Sequence, residues 1–259
     1  MSLSRTLVIA ANVFREVIRD RVLYLIAFFA VIMVAAIVLV PEVAASTENQ
    51  IILDIGLAAI SLLGLMITVF VGTGLVNKEI EKRTVYVMAA KPISSAEFIV
   101  GKHWGFSAVI AVLVFAMTLL YLGTLALKQI PVPLGSIGLS ALFQFLELSL
   151  IAAVAILFGV FTSSLLATLL TFALYLMGHF SRDLLAFGAL TDNPGLKQAI
   201  QGIYLTLPDL SRLNLKNQAI YGLNLLPEPS ELLANAGYAI VYIALLLTIA
   251  IVIFSRRQF

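Results

Sequence analysis

The sequence has 259 residues, of which 61% are hydrophobic and only 12% are charged. Soluble domains carry about 25% charged residues, so the composition excludes a soluble globular protein and predicts an integral membrane protein. The formal net charge is only +2, and there is no cysteine, which excludes disulfides, a thiol nucleophile and a cysteine-bound metal.

Residues 1–21 predict an amphipathic helix ahead of the first apolar run. One face is apolar and the opposite face carries Arg5, Asn12, Arg15, Glu16 and Arg19; the apolar face is made of Leu3, Leu7, Ala10, Ala11, Phe14, Val17 and Ile18. This pattern is typical of a helix that lies in the membrane interface. A cytosolic helix packed on the rest of the domain is the alternative.

Six apolar runs follow, and each is predicted to be a transmembrane helix. They cover residues 22–40, 51–76, 104–127, 137–161, 165–180 and 237–254. A cleaved signal peptide is the alternative for the first run, because small residues follow at 44–46. The run is longer than the 7–15 apolar residues typical of signal peptides, which favours a retained span.

The distribution of Lys and Arg orients the predicted spans. With both termini inside, inner segments hold eleven of these residues and outer segments hold five, four of the five in the long segment 181–235. An excess of positive charge marks cytoplasmic loops. The sequence therefore predicts cytoplasmic N and C termini. The most suitable location is a bacterial cytoplasmic membrane.

The segment 77–103 is predicted to be the one large cytoplasmic loop. It carries five basic residues, and Ile80, Thr84, Val87 and Met88 share one face of a helix that Pro92 ends. Ser94 and Glu97 have the spacing of a capping box, which predicts that the next helix begins there. A short helix held below the membrane suits a soluble partner, and a helix lying on anionic lipid is the equal alternative.

Two further regions carry candidate chemistry. Glu147 lies inside the fourth predicted span, with Gln144 one turn earlier on the same face; both are candidates for lining a translocation path, and a structural hydrogen bond between helices is the alternative. Residues 181–235 contain short helical patterns separated by prolines, which predicts helices at the outer membrane face. A serine protease is a weak alternative, resting on Gly138-Leu139-Ser140 and His179.

Two other polar residues are predicted to lie near the outer membrane surface. Asp54 is near the outer end of the second predicted span, and His179 is at the outer end of the fifth, at the level of the headgroups. Gly101 and Gly105 are a pair of small residues four apart, a spacing that favours close helix packing.

Several short motifs, in this order, resemble the permease subunit of ABC-2 type ATP-binding cassette transporters, and most closely the branch of copper-enzyme maturation permeases. The motifs are Phe14-Arg15-Glu16-Val17-Ile18-Arg19-Asp20-Arg21, Glu79-x-Glu81-Lys82-Arg83-Thr84, Lys91-Pro92-Ile93-Ser94, Glu97-Phe98, Gly101-Lys102, Pro208-Asp209-Leu210 and Ile253-Phe254-Ser255-Arg256-Arg257. Each motif is weak alone, and the resemblance rests on their order along the whole chain.

The resemblance implies an all-α transmembrane domain over residues 1–259, with 1–21 as an elbow helix and a coupling helix in the loop 77–103. The residues implied in contact with the ATPase are Glu79, Glu81, Arg83, Thr84, Val87, Met88 and Lys91. It also implies two partners, an ATP-binding cassette ATPase and a second permease subunit, and transport in the direction of export.

No catalytic residue, metal ligand or cofactor is expected on this chain, and nucleic acid is not an expected partner. The sequence contains no G-x-x-x-x-G-K-[ST] loop, so ATP and Mg²⁺ are expected on the partner ATPase. A membrane scaffold that anchors an enzyme or assembly factor through the same loop is the alternative function. A secondary transporter predicts broken helices at mid-membrane, and the prolines instead fall in predicted loops.

Overall fold

The computed structural model describes residues 2–44, 47–81, 93–131, 133–190 and 193–257, and every regular element in these ranges is helical. Eleven α-helices lie in the described ranges. In chain order they are α1 Leu3–Val17, α2 Leu23–Val43, α3 Glu48–Gly72, α4 Gly74–Glu81, α5 Ser95–Leu127, α6 Leu134–Phe161, α7 Ser164–His179, α8 Ser181–Ala189, α9 Pro194–Thr206, α10 Lys216–Ala219 and α11 Pro229–Arg256. A π-helical turn, Ile18–Val22, joins α1 to α2.

Within the described ranges, five helices are long and apolar enough to cross a membrane. They are Leu23–Val43, Glu48–Ile80, Ser95–Leu127, Leu134–Phe161 and Pro229–Arg256. Predicted spans one to four and six each overlap one of these helices. The fifth predicted span, 165–180, corresponds to α7, whose 16 residues give a length of about 24 Å against a hydrocarbon core of about 30 Å.

The segment 77–103, predicted to be a cytoplasmic loop, is helical at both of its ends. The helix formed by α3 and α4 continues through Ile80 for 33 residues, or about 50 Å, which is longer than the hydrocarbon core. Ser94 and Glu97 form the predicted capping box at the start of α5. The predicted coupling helix lies within 82–92, outside the described residues.

Both chain ends lie on one face of the bundle, called here the terminal face. The Ser2 backbone N–H donates to Glu97 at the start of α5, and Phe98 stacks on Phe254 near the end of α11 with ring centroids 5.3 Å apart. Hydrogen bonding also brings the α6–α7 turn to this face, because the Asn77 amide donates to the Thr162 carbonyl at 2.7 Å. The positive-charge distribution predicts that the terminal face is cytoplasmic.

The segment 181–235 packs onto the bundle. It consists of α8, α9, α10 and two 3₁₀ turns, followed by the start of α11. The Ser136 hydroxyl at the start of α6 donates to the Ala219 carbonyl at 2.7 Å, and Lys216 reaches the Ser61 hydroxyl in α3. Through these contacts, part of the segment lies between the long helices and not only on the outer surface of the bundle.

Candidate functional site: a central polar cluster and a clamped loop

Glu147 lies near the middle of the 28-residue helix α6, and its side chain is fully buried. The helix is apolar around almost its whole circumference, and it packs against α3, α5, α7 and α11. Gln144 lies one turn earlier and is also buried. Both carboxylate oxygens of Glu147 and Nε2 of Gln144 have no hydrogen-bond partner among the described residues.

His179, the last residue of α7, faces Glu147. Its Nε2 lies 3.5 Å from Oε1 of Glu147, and its Nδ1 lies 3.2 Å from the Tyr175 carbonyl one turn earlier. The Tyr175 ring packs against the imidazole with centroids 4.4 Å apart. Because α7 stops half-way along α6, its C-terminal side chain reaches the interior and not the headgroup region that the sequence suggested.

Lys216 comes from α10, in the segment that follows α7. Its ammonium donates to the Ser61 hydroxyl at 2.6 Å and acts electrostatically on Glu147. Ser61, Gln144, Glu147, His179 and Lys216 are called the central cluster below.

A polar cleft of about 400 Å³ borders the central cluster at Lys216. Lys216 lines it, together with Asp54, Leu57, Ala58, Asn214, Asn217 and Ile220. The sequence placed Asp54 near the outer end of its span, and the cleft is where its side chain lies. Lys216 therefore belongs both to the wall of the cleft and to the central cluster.

Asp209 fixes the return of the chain beside the end of α7. Its carboxylate accepts from Ser181 Oγ at 3.0 Å, from the Ser211 N–H at 3.2 Å and from Arg212 at 3.1 Å. The backbone passes so close to α7 that a Cβ on Gly178 would lie 2.8 Å from the Pro208 carbonyl oxygen. The Pro208-Asp209-Leu210 motif is therefore a packing device that sets the position of the chain leading to Lys216.

The two helices that border residues 82–92 are joined by an ion pair. Lys102 in α5 donates to Glu79 in α4, and its ammonium also lies over the Phe98 ring, 5.4 Å from the centroid. Of the predicted ATPase-contacting residues, the side chain of Glu79 is the one that the structure describes. The Glu81 side chain and all of Arg83, Thr84, Val87, Met88 and Lys91 lie outside the described residues.

Glu97 caps two helices at the terminal face. One of its oxygens accepts from the Ser2 N–H at the start of α1 and the other from the Ser94 N–H at the start of α5. Two turns of α5 then pack tightly on α1, because a Cβ on Gly105 would lie only 2.4 Å from the Ala10 carbonyl oxygen. Gly101 faces α1 in the same way, at Ile9 and Thr6.

The position of α1 combines the two alternatives left by its sequence. Thr6, Val13 and Val17 are buried, which places one stripe of the helix in a protein contact. Leu3 and Leu7 on the predicted apolar face remain exposed. One stripe of α1 therefore packs on the bundle, and the exposed apolar stripe keeps the prediction of a helix in the membrane interface open.

Comparison with protein families gives one match that covers nearly the whole sequence. The sequence model of the ABC-2 family transporter proteins matches residues 7–259. The chain belongs to the ABC-2 transporter family. As a member, it is a permease-type component of membrane transport, and the family implies an ATP-binding cassette ATPase as a partner. A comparison with curated proteins gives no match.

The ABC-2 assignment agrees with the resemblance carried by the short motifs, and the geometry gives no support to the protease alternative. The described contacts of the His179 ring are with Glu147, Tyr175 and the Tyr175 carbonyl, and none is with Ser140. Across the described ranges, no group of three or more His, Asp or Glu side chains is arranged to hold a metal ion.

Sequence reasoning missed two partners of the central cluster. Lys216 is 155 residues from Ser61, and no local pattern connects them. His179 was visible as one of two histidines, but its approach to Glu147 depends on where α7 ends. A buried pair elsewhere, His103 Nε2 at 3.1 Å from the Ser149 carbonyl, also had no sequence signal.

Proposed function

We propose that this ABC-2 protein is the membrane-spanning permease subunit of an ATP-binding cassette transporter, and that it couples ATP hydrolysis on a separate ATPase to substrate translocation. The direction proposed is export, as in the transporters that the motifs resemble. A second permease subunit, either a copy of this chain or a sister chain, completes the membrane domain. ATP and Mg²⁺ bind the ATPase.

The coupling role is supported by the ion pair between Glu79 and Lys102, called the clamp below. It joins the helix before residues 82–92 to the helix after them. Asn77, two residues before Glu79, is tied to the α6–α7 turn through the Thr162 carbonyl. A force applied to residues 82–92 therefore reaches α3, α5, α6 and α7 through short polar contacts, without an intervening flexible linker.

Six crossings are proposed for the chain. Since both chain ends lie on the terminal face, the number of crossings is even, and five helices have full length. α7 begins at that face, where Thr168 meets Thr73 at 3.0 Å, and it ends at the depth of Glu147. The stretch from Asp209 to Ala219 then continues to Ser136 at the opposite end of α6, which completes the sixth crossing.

The first test is affinity purification of the tagged full-length chain from membranes, with nucleotide trapped, and identification of the chains that bind. An ATPase with a phosphate-binding loop is expected in the complex. Arg83→Glu and Thr84→Asp should remove it, whereas the matched control Lys197→Glu, an exposed charge reversal in α9, should retain it. Binding that is equal in all variants, or an unrelated enzyme in place of the ATPase, overturns the proposal.

A second variant separates coupling from docking. Lys102→Met removes the charge that holds Glu79, and the ATPase should still bind while its hydrolysis rate loses its dependence on the permease. The control is Lys78→Met, since Lys78 is an exposed lysine on the same helix as Glu79. Hydrolysis measured on the reconstituted complex distinguishes the two. A Lys102→Met complex that hydrolyses ATP like the unmodified one contradicts the role of the clamp.

A further inference from the structure

The contact between Glu147 and His179 lacks a proton donor if both side chains are unprotonated. A backbone carbonyl only accepts, so the Nδ1 atom of His179, 3.2 Å from the Tyr175 carbonyl, carries a hydrogen. In a neutral ring Nε2 is then an acceptor, and it lies 3.5 Å from a carboxylate oxygen, which is also an acceptor. Two acceptors at this separation repel each other unless a proton lies between them.

We propose that Glu147 and His179 together bind one proton and form a proton-binding site at the middle of the bundle. The bound proton is held on the carboxyl of Glu147, which donates to Nε2 of the imidazole, so that the buried pair is neutral. Full burial supports this assignment, because an isolated carboxylate at membrane depth is strongly unfavourable. The inference stands independently of the proposed transport role.

The polar groups nearest the pair come from α3, α7 and α10, and Asp209, which follows α9, acts electrostatically on His179. Lys216 on α10 supplies a positive charge and the Ser61 hydroxyl on α3 holds its ammonium, while α7 supplies Tyr175 beside the imidazole. On α5, His103 is directed to the Ser149 carbonyl nearer the terminal face, and on α11 the Tyr238 hydroxyl accepts from the Asp209 N–H at 2.9 Å. Lys216 is the charged group that acts on Glu147.

Protons have a route to the site along the polar cleft, because Lys216 lines this cleft together with Asn214 and Asn217 and also acts electrostatically on Glu147. The charge of Lys216 is attracted to Glu147 while Glu147 is ionised, and protonation of the carboxyl removes this attraction. Proton binding therefore weakens one of the contacts that attach the Lys216 segment to α6, and the linkage acts in both directions.

Infrared difference spectroscopy of the full-length chain in lipid nanodiscs, titrated with acid, tests the site directly. A buried carboxyl band is expected to appear with falling pH, to be absent in Glu147→Gln and to persist in Glu42→Gln, a control at an exposed carboxylate. If Glu147→Gln keeps the band, or if no buried carboxyl titrates in the unmodified protein, the proposal is overturned.

A second variant keeps the test valid if Glu147→Gln does not fold. His179→Gln leaves the carboxylate in place and removes the group that shares the proton, so the midpoint of the carboxyl titration should shift. Lys216→Gln should shift it as well, because the charge acting on Glu147 is lost. A midpoint that is unchanged in His179→Gln shows that the two side chains do not share a proton and overturns the proposal.

Discussion

The terminal face and the central cluster differ in how completely their polar side chains are hydrogen-bonded. At the terminal face Glu97 accepts hydrogen bonds from two helix starts, and Lys102 is paired with Glu79. In the central cluster, neither oxygen of Glu147 has a hydrogen-bond partner among the described residues, and Nε2 of Gln144 also has none. Both regions are buried, so the difference lies in how completely their polar atoms are paired.

The comparison separates groups that hold the fold from groups that are free to act. A paired buried group stabilises one arrangement, and its removal leaves its partner unsatisfied. An unpaired buried group lowers the stability of its present state and gains the most from a proton, a water molecule or a ligand. The polar groups of the terminal face are therefore expected to be structural, and those of the central cluster functional.

The largest expected effect is from Gly105→Ala at the terminal face. The added Cβ would lie 2.4 Å from the Ala10 carbonyl oxygen and 2.9 Å from its Cα. Backbone atoms cannot move aside like a flexible side chain, so α1 should be displaced, with a loss of about 1–3 kcal/mol in the free energy of unfolding. Thermal unfolding in detergent measures the change.

The matched control is Gly123→Ala in the same helix, where nothing lies within 4 Å of the added Cβ. Alanine is the better helix former, so this variant should be unchanged or stabilised by at most about 1 kcal/mol. Equal unfolding midpoints for the two variants would show that α1 does not rest on α5 through Gly105.

A smaller loss is expected for Glu97→Ala. The substitution leaves the Ser2 and Ser94 N–H groups without their carboxylate acceptor, and both helix starts lose a cap. The unfolding midpoint should fall, and α1 should become more accessible to protease. Glu231→Ala is the control, since Glu231 lies exposed in the first turn of α11. An equally low unfolding midpoint for Glu231→Ala would contradict the role of Glu97 as a cap of two helices.

The smallest effect, and the one of opposite sign, is expected for Gln144→Leu in the central cluster. The substitution removes an unpaired buried donor, Nε2, and keeps a side chain of similar size. Replacing an unsatisfied polar group by an apolar one is neutral or stabilising, so a change of about 0–1 kcal/mol towards stability is expected. A clear loss in the same unfolding assay would contradict the contrast between the two regions.

Local patterns in the sequence predicted local structure well. The capping box needs only Ser94 and Glu97, three residues apart, and the structure has it. The apolar runs predicted an all-helical membrane protein, because length and hydropathy are properties of a single segment. Glu147 was also visible, since an ionisable residue within an apolar run is exceptional.

Contacts between distant segments were not predictable in the same way. The second partner of Glu97 is Ser2, and no pattern links them. Gly101 and Gly105 form a recognisable pair of small residues, but the sequence does not show which helix packs against them. His179 was expected at headgroup level, because the sequence does not show that α7 ends beside the middle of α6.

The double cap at Glu97 also sets an order of assembly during synthesis. Ser2 is 95 residues ahead of its acceptor, so at about 5–20 residues per second α1 waits on the order of 5–20 s before Glu97 has been made. During that time, the residues of α1 that pack on α5 have no partner surface. α1 therefore cannot reach its final position before α5 begins to form, and a nascent chain halted before residue 97 would carry α1 undocked.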